Sequence, residues 1–361
     1  MKICLVTPTC SDSALPMGGG ERYVEELARA LARTHRTRLV SFGPRQVRES
    51  PAGGAERIVL RSSTRDPLTP FAWGLREAIR GFDVIHAFQY FTLPTFLALF
   101  WGKRRRAATF VTDLGGGGWT PGYQIDQSRW LDGHLPLSRY AAGSLPGRPL
   151  PHRVILGGVD LERFRARPRP EHDGSVVFLG RLLPHKGVHH LVEAMPPDRE
   201  LHVIGPVADS TYLALLRQLA GGKRVQFHHG LGDAEVVRYL QKAMVLVHPT
   251  PVDDSGSARA NELLGLAVLE GMACGCPVIA SRAASLPELF EDGVSGALVA
   301  PNAPGEIRAR IEAFADDLTT WRAASLQAMQ SVEARFTWPL TAERCLAAYR
   351  ELCAHAPSSR S

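Results

Sequence analysis

Cysteine is scarce in this chain, six in 361 residues, too few for a disulfide framework. Cys274-Gly-Cys276 lacks the two-residue gap of a zinc knuckle or redox pair, and no ladder of His and Cys accompanies it. Reduced thiols in a cytoplasmic protein are the expectation. Long hydrophobic runs are missing too. The longest, Phe91 to Gly102, falls far short of the roughly 20 residues needed to span a bilayer. MKICLVTPT at the start meets Thr7 and Pro8 too early for a secretory h-region. Lysine is rare, 5 against 37 arginines. Beside abundant Ala, Gly and Pro, that skew reads as coding bias, which discounts single arginines and gives each lysine more weight. With 45% apolar residues, the chain is not of the disordered class.

The length suits two domains of ordinary size. KICLVT, TRLVSF, RIVL, DVIHAF, AATFVTD, GHLPLS and HRVIL read as strands with helix-like segments between several of them, and Glu21 to Thr34 has the apolar spacing of a helix. RARPRP, Arg165 to Pro170, breaks every period and reads as a linker. The alternation then restarts with SVVFLG, ELHVIG, VQFHH, MVLVH, CPVIA and GALVA. Two such runs predict an α/β protein of two doubly wound, Rossmann-like domains facing a cleft, with ligands at the carboxyl ends of the strands.

Three segments there carry chemistry. In NELLGLAVLEGMACGCPVIA (261–280), Glu262 and Glu270 lie eight positions apart around Gly265. A helix starting near Gly265 would offer the N–H groups of Gly265, Leu266 and Ala267 to an anion, with a carboxylate on each side for vicinal hydroxyls. Two solvated glutamates on an amphipathic helix account for the same spacing. In FLGRLLPHKGVHH (178–190), Arg181 and Lys186 flank a turn after a strand, where two cations can clamp a diphosphate; a solvated loop is the plainer alternative. His185 and His189 have helical spacing but no third ligand nearby for zinc. In MGGGERYVEEL (17–27), Gly19 and Gly20 would bring unhindered backbone to a phosphate or sugar. The loop is neither a Walker A motif nor a dinucleotide fingerprint, which argues against an NAD-dependent oxidoreductase.

In this order the segments resemble the family 4 retaining glycosyltransferases of GT-B fold. The resemblance runs from GGGE through PHRVILGGVDLERF, FLGRLLPHKG and the E-x7-E block to LPELFEDGVSGALV and the terminal FTWPLTAERCLAAYREL. It implies an acceptor-binding domain over 1–165 and a donor-binding domain over 171–337, with a last helix, about 338–356, crossing back to the first. It also implies transfer of a sugar from a nucleotide-sugar to an acceptor hydroxyl by front-face attack, without a metal or other cofactor. Arg181 and Lys186 would hold the diphosphate, Glu262 the sugar hydroxyls, Glu270 the ribose diol, and Gly19 and Gly20 would border the phosphate. Where the family often has Thr-x-His-Gly, VTDLGGGG puts Asp113, which could bond a sugar hydroxyl or take a proton. The usual Pro-Asn-Gly-Val-Asp is Leu156-Gly157-Gly158-Val159-Asp160, Glu-x-Phe-Gly is Glu262-Leu263-Leu264-Gly265, and 251–261 is unusually long and polar. A GT-B-like epimerase or phosphorylase, or a silent nucleotide-sugar-binding protein, would share much of this pattern.

Net charge is +6, but residues 1–165 carry 23 basic and 14 acidic side chains whereas 166–361 carry 19 and 22. The excess lies in the acceptor half, which favours an anionic acceptor or membrane surface over nucleic acid. YFTLPTFLALFWGKRRR (90–106), apolar and ending in four cations, would either dock on anionic lipid, making the protein peripheral on the inner face of the membrane, or form a core helix with a basic C-terminus. Trp119, in LGGGGWTPG, is available to stack on a sugar or to close a simple turn.

Overall fold

The buried, β-branched run after Met1 forms β1 (Lys2–Val6), and the glycine-led segment beyond it forms α1 (Gly19–Ala32), which buries Tyr23, Val24, Leu27 and Leu31. A computed structural model describes residues 1–9, 18–64, 66–115, 117–165, 171–252 and 262–354. The expected linker beyond Arg165, most of the polar stretch 251–261 and the end of the last helix lie outside them. The chain divides into two compact units, Met1–Gly158 with Trp338–Ser361, and Val159–Thr337.

In the first unit β2 (Arg36–Gly43), β3 (Val47–Glu49), β4 (Glu56–Arg61), α2 (Leu75–Ala78), β5 (Val84–Phe88), α3 (Leu93–Arg104), β6 (Ala108–Thr112), α4 (Thr120–Gln124), β7 (Gly133–His134) and α5 (Arg139–Ala142) follow α1. The sheet order is β3-β4-β2-β1-β5-β6-β7. It is parallel except for β3, an antiparallel edge strand of three residues that periodicity does not reveal. GHLPLS and HRVIL depart from expectation. β7 keeps only two residues, and the HRVIL run, though Arg153 and Ile155 donate to the carbonyls of His134 and Pro136, contributes only an isolated bridge, His134–His152. Pro136 has no N–H for the ladder. Val6, Ile85, Val111, Leu99 and Phe91 share one core.

The second unit contains β8 (Val176–Leu179), α6 (Val188–Ala194), β9 (Glu200–Ile204), α7 (Ser210–Leu219), β10 (Arg224–His228), α8 (Asp233–Lys242), β11 (Val245–His248), α9 (Leu266–Ala273), β12 (Val278–Ser281), β13 (Gly296–Val299), α10 (Pro304–Asp316) and α11 (Leu318–Arg335). Its sheet runs β10-β9-β8-β11-β12-β13, all parallel. That is the doubly wound order, whose switch point falls between β8 and β11. Val176, Phe178, Val203, Val245, Ile279 and Trp321 fill the core.

The last helix, α12 (Trp338–Ala354), belongs to the first unit. Trp338 packs edge-on against Tyr23 of α1 at 5.2 Å. Tyr349 Oη lies 2.7 Å from Nδ1 of the fully buried His86, whose Nε2 lies 2.8 Å from Thr112 Oγ1. Thr112 gives its own proton to Leu135 O at 2.6 Å, so it accepts from Nε2–H and Tyr349 donates to Nδ1.

Candidate active site

At the switch point of the second sheet, β8 stops at Leu179 and the chain passes through Gly180 and Arg181 into a single 3-10 turn, Pro184–Lys186. Gly187 ends that turn with φ 67°, and a Cβ there would sit 1.9 Å from Pro249 O. Only glycine permits both the left-handed backbone and the close approach. The Lys186 turn is thereby pressed onto the carboxyl end of β11, where His248 precedes Pro249.

Glu262 completes the cluster. Its Oε2 lies 2.5 Å from Lys186 Nζ and 3.0 Å from His248 Nε2, and its Oε1 accepts the Gly265 N–H at 3.2 Å. Its carbonyl accepts from both the N–H (3.2 Å) and hydroxyl (2.9 Å) of Ser285, beyond β12. Both charged side chains are only 15% exposed. Burial would raise the Glu262 pKa, but the Lys186 charge and the His248 hydrogen bond outweigh it and hold the carboxyl well below the usual carboxylate range. His185 is pushed down to about 4, by desolvation first and then by the charges of Lys186 and Arg181, so at neutral pH it adds no charge.

Gly265 caps α9 with φ 84°, and a Cβ there would crowd Leu289 Cδ1 at 2.9 Å. The helix begins at Leu266, so Leu266 and Ala267 lie in its first turn, both half-buried. Glu270, a turn further, is buried. Neither glutamate is a solvated surface group. The two cations differ: Lys186 is engaged by Glu262, whereas Arg181 is exposed and makes no hydrogen bond or ion pair among the described residues. His189, half of the i, i+4 pair, is occupied by Tyr212 Oη at 2.8 Å.

The remaining sequence candidates lie in the first unit. Gly19 and Gly20 open α1. Glu21, the residue after these glycines, accepts the Gly18 N–H at 3.0 Å and the Thr9 hydroxyl at 2.8 Å, so one carboxylate joins Thr9 to the start of α1. Asp113 follows β6, is buried, and accepts the Tyr90 N–H at 3.2 Å. The preceding residue, Gln89, has φ 62°, a left-handed backbone uncommon outside glycine. Leu114 beside Asp113 lies 3.5 Å from where a Gly20 Cβ would be, so the glycine turn and the Asp113 loop meet. His248 was the other omission; its one signal is a polar residue ending the apolar run VLVHPT.

A family model described as "Glycosyltransferase Family 4" matches residues 17–163, and one described as "Glycosyl transferases group 1" matches 160–327. The chain is 28% identical over 319 residues to a GDP-mannose-dependent alpha-(1-6)-phosphatidylinositol monomannoside mannosyltransferase of Mycolicibacterium smegmatis, covering 78% of this chain and 81% of that protein. It is 33% identical over 246 residues to a D-inositol 3-phosphate glycosyltransferase of Geodermatophilus obscurus, covering 62% of this chain but only 50% of the relative. Sucrose-phosphate synthase from Thermosynechococcus elongatus superposes with TM-score 0.75 at 21% identity, covering 99% of this chain and 100% of that one. Two doubly wound parallel sheets make the GT-B fold, and the two family models, which together run from residue 17 to 327, make the chain a glycosyltransferase. The chain belongs to glycosyltransferase family 4, its second half matching the group 1 model.

Proposed function

We propose that the protein moves a sugar from a nucleotide-sugar donor to an acceptor hydroxyl with retention of anomeric configuration. The observation that carries this is the juxtaposition of Lys186, Glu262 and the start of α9, beside open Arg181, at the carboxyl end of the second sheet. The donor diphosphate takes Arg181, Lys186 and the N–H groups of Leu266 and Ala267, whereas the Gly265 N–H expected to join them is held by Glu262 Oε1; Glu262 takes sugar hydroxyls and Glu270 the ribose diol. The bond from the anomeric carbon to the diphosphate oxygen breaks, its electron pair leaves with the nucleoside diphosphate, and the two cations stabilise that charge. The acceptor oxygen bonds to the same face of the sugar, and its proton passes to the departing phosphate. Family resemblance alone assigns Gly19 and Gly20 to phosphate; Asp113, standing where the family often has His, bonds a sugar hydroxyl or accepts a proton.

The mannosyltransferase relative is named for GDP-mannose, and both curated relatives act on inositol-phosphate compounds by name; this supports GDP-sugars with phosphorylated or lipid-linked polyols as the first pairs to try. Nucleoside diphosphate release is to be measured across UDP-, GDP- and ADP-sugars with and without EDTA. Acceptor-dependent release from one nucleotide class, undiminished by EDTA, is expected. No turnover with any donor overturns the proposal.

A peripheral membrane association is supported by the outer side of α3. Its inner side, Pro94, Thr95, Ala98, Leu99 and Gly102, is core. Outside, Phe96 packs on Trp130 at 5.1 Å, while Arg104, Arg129 and Arg76 lie over Phe100, Trp130 and Trp101 at 5.0, 4.6 and 5.0 Å. Half-buried aromatics rimmed by guanidinium groups suit the headgroup level of an anionic bilayer. Among the described residues no helix is long and apolar enough to cross a membrane, and Lys103 is spoken for by Asp132 at 2.5 Å. Flotation with phosphatidylglycerol vesicles should retain the wild type and lose an Arg104→Ser/Arg129→Ser variant; equal behaviour on purely zwitterionic vesicles counts against this role.

A further inference from the structure

We infer that His248 is a positioning residue for the sugar-binding carboxylate, holding Glu262 in place when Lys186 turns to the donor. This presupposes the sugar transfer proposed for Glu262 but concerns a residue that neither motif contains. His248 ends β11, is 2% exposed, and its ring runs within 10° of parallel to that of Phe178. A carboxylate only accepts hydrogen bonds, so Nε2, at 3.0 Å from Oε2, carries the hydrogen. Nδ1 is buried and has no hydrogen-bond partner among the described residues, so none of them competes for the ring's orientation.

The reason for a second donor on Oε2 lies in the charges. Lys186 and His248 share that oxygen. A nucleoside diphosphate carries more negative charge than one carboxylate and draws the ammonium group, which sits on a flexible four-carbon stem. Glu262 then keeps two donors, the Gly265 N–H on Oε1 and His248 on Oε2. The Gly187–Pro249 contact fixes the backbone between the Lys186 turn and His248, so the ring stays put while the lysine side chain moves. Without it, Oε2 would be free to swing exactly when sugar hydroxyls need a fixed acceptor.

Two variants separate this from a packing role. His248→Leu keeps an apolar side chain at the strand end and removes the donor. His248→Gln retains an N–H near the position of Nε2. With saturating donor and acceptor, His248→Leu should lower kcat roughly 10- to 100-fold, the scale of an ångström-level misplacement, with nucleoside diphosphate affinity by calorimetry unchanged, because that product lacks the sugar. His248→Gln should recover most of the loss. Full kcat in His248→Leu, a parallel loss of nucleoside diphosphate affinity, or no recovery in His248→Gln overturns the inference. Should His248→Leu not fold, nitrogen-15 spectra of the wild-type histidines decide, since an Nδ1–H tautomer for His248 is incompatible with the contact. Those spectra also keep the two proposals apart: a wild type that turns over no donor yet shows His248 as Nε2–H, bonded to Glu262, refutes the transfer reaction and leaves the contact intact.

Discussion

At the scale of the residue, the Lys186–Glu262 pair ties the site's chemistry to its stability. Lys186→Met strands a mostly buried carboxylate without its ammonium partner, which should cost about 3 kcal/mol in urea unfolding. Adding Glu262→Gln removes the stranded charge and should recover much of that stability while restoring no transferase activity. If the double variant is as unstable as the single one, lost packing rather than lost pairing was the cause. The two motif residues were legible in the sequence because each precedes a glycine with a left-handed backbone, Lys186 directly before Gly187 and Glu262 three residues before Gly265. Their pairing was not. It spans 76 positions and exists only because β8 and β11 are neighbours across a switch point. His248 was hidden for a related reason: one polar residue ending an apolar strand leaves no periodicity to read.

At the scale of the element, α12 is the clearest case of a helix held by polar groups as well as packing. The chain from Tyr349 through His86 to Thr112 and Leu135 is buried at each step. Tyr349→Phe leaves His86 Nδ1 without its donor and should cost about 1–3 kcal/mol, read from the midpoint of chemical unfolding. Burial pushes His86 and His134 down to about 3. Both are therefore neutral in the folded state, while the unfolded chain takes up protons below about 6.5. The unfolded state binds more protons between those limits, so stability rises with pH across that window and is lost on acidification from about 6.5 towards 3. Thermal unfolding at pH 7 and 4.5 should show the drop, and His86→Phe should show a shallower one; identical slopes would mean that His86 takes up its proton in the folded protein just as it does in the unfolded chain. The strands themselves were legible because buried, β-branched runs bounded by turns have few other uses. β3 was too short to announce itself, and Pro136 interrupted a ladder that the apolar pattern of HRVIL otherwise favoured.

At the scale of the whole molecule, charge and fold divide almost together. The unit of Met1–Gly158 and Trp338–Ser361 carries 24 basic and 14 acidic side chains, and Val159–Thr337 carries 18 and 22. An overall +6 thus conceals a strongly basic unit next to an acidic one. Vesicle retention through the α3 face should then weaken as salt is raised from low concentration to about 0.5 M, because exposed charges are screened over less than 10 Å. Retention indifferent to salt would point to the aromatic rings alone.

The return of α12 to the first unit also bears on how the protein is made. A ribosome delivers β1 to β7 first, yet the surface of α1 that meets Trp338 and the His86 acceptor that meets Tyr349 wait until the entire second unit has been synthesised. The unit begun first is completed last. During translation Val159–Thr337 has everything it needs to close on itself, while its predecessor carries an unfilled helix berth, so a nascent chain stalled before Trp338 would present one finished half and one that only a holding chaperone can keep from sticking.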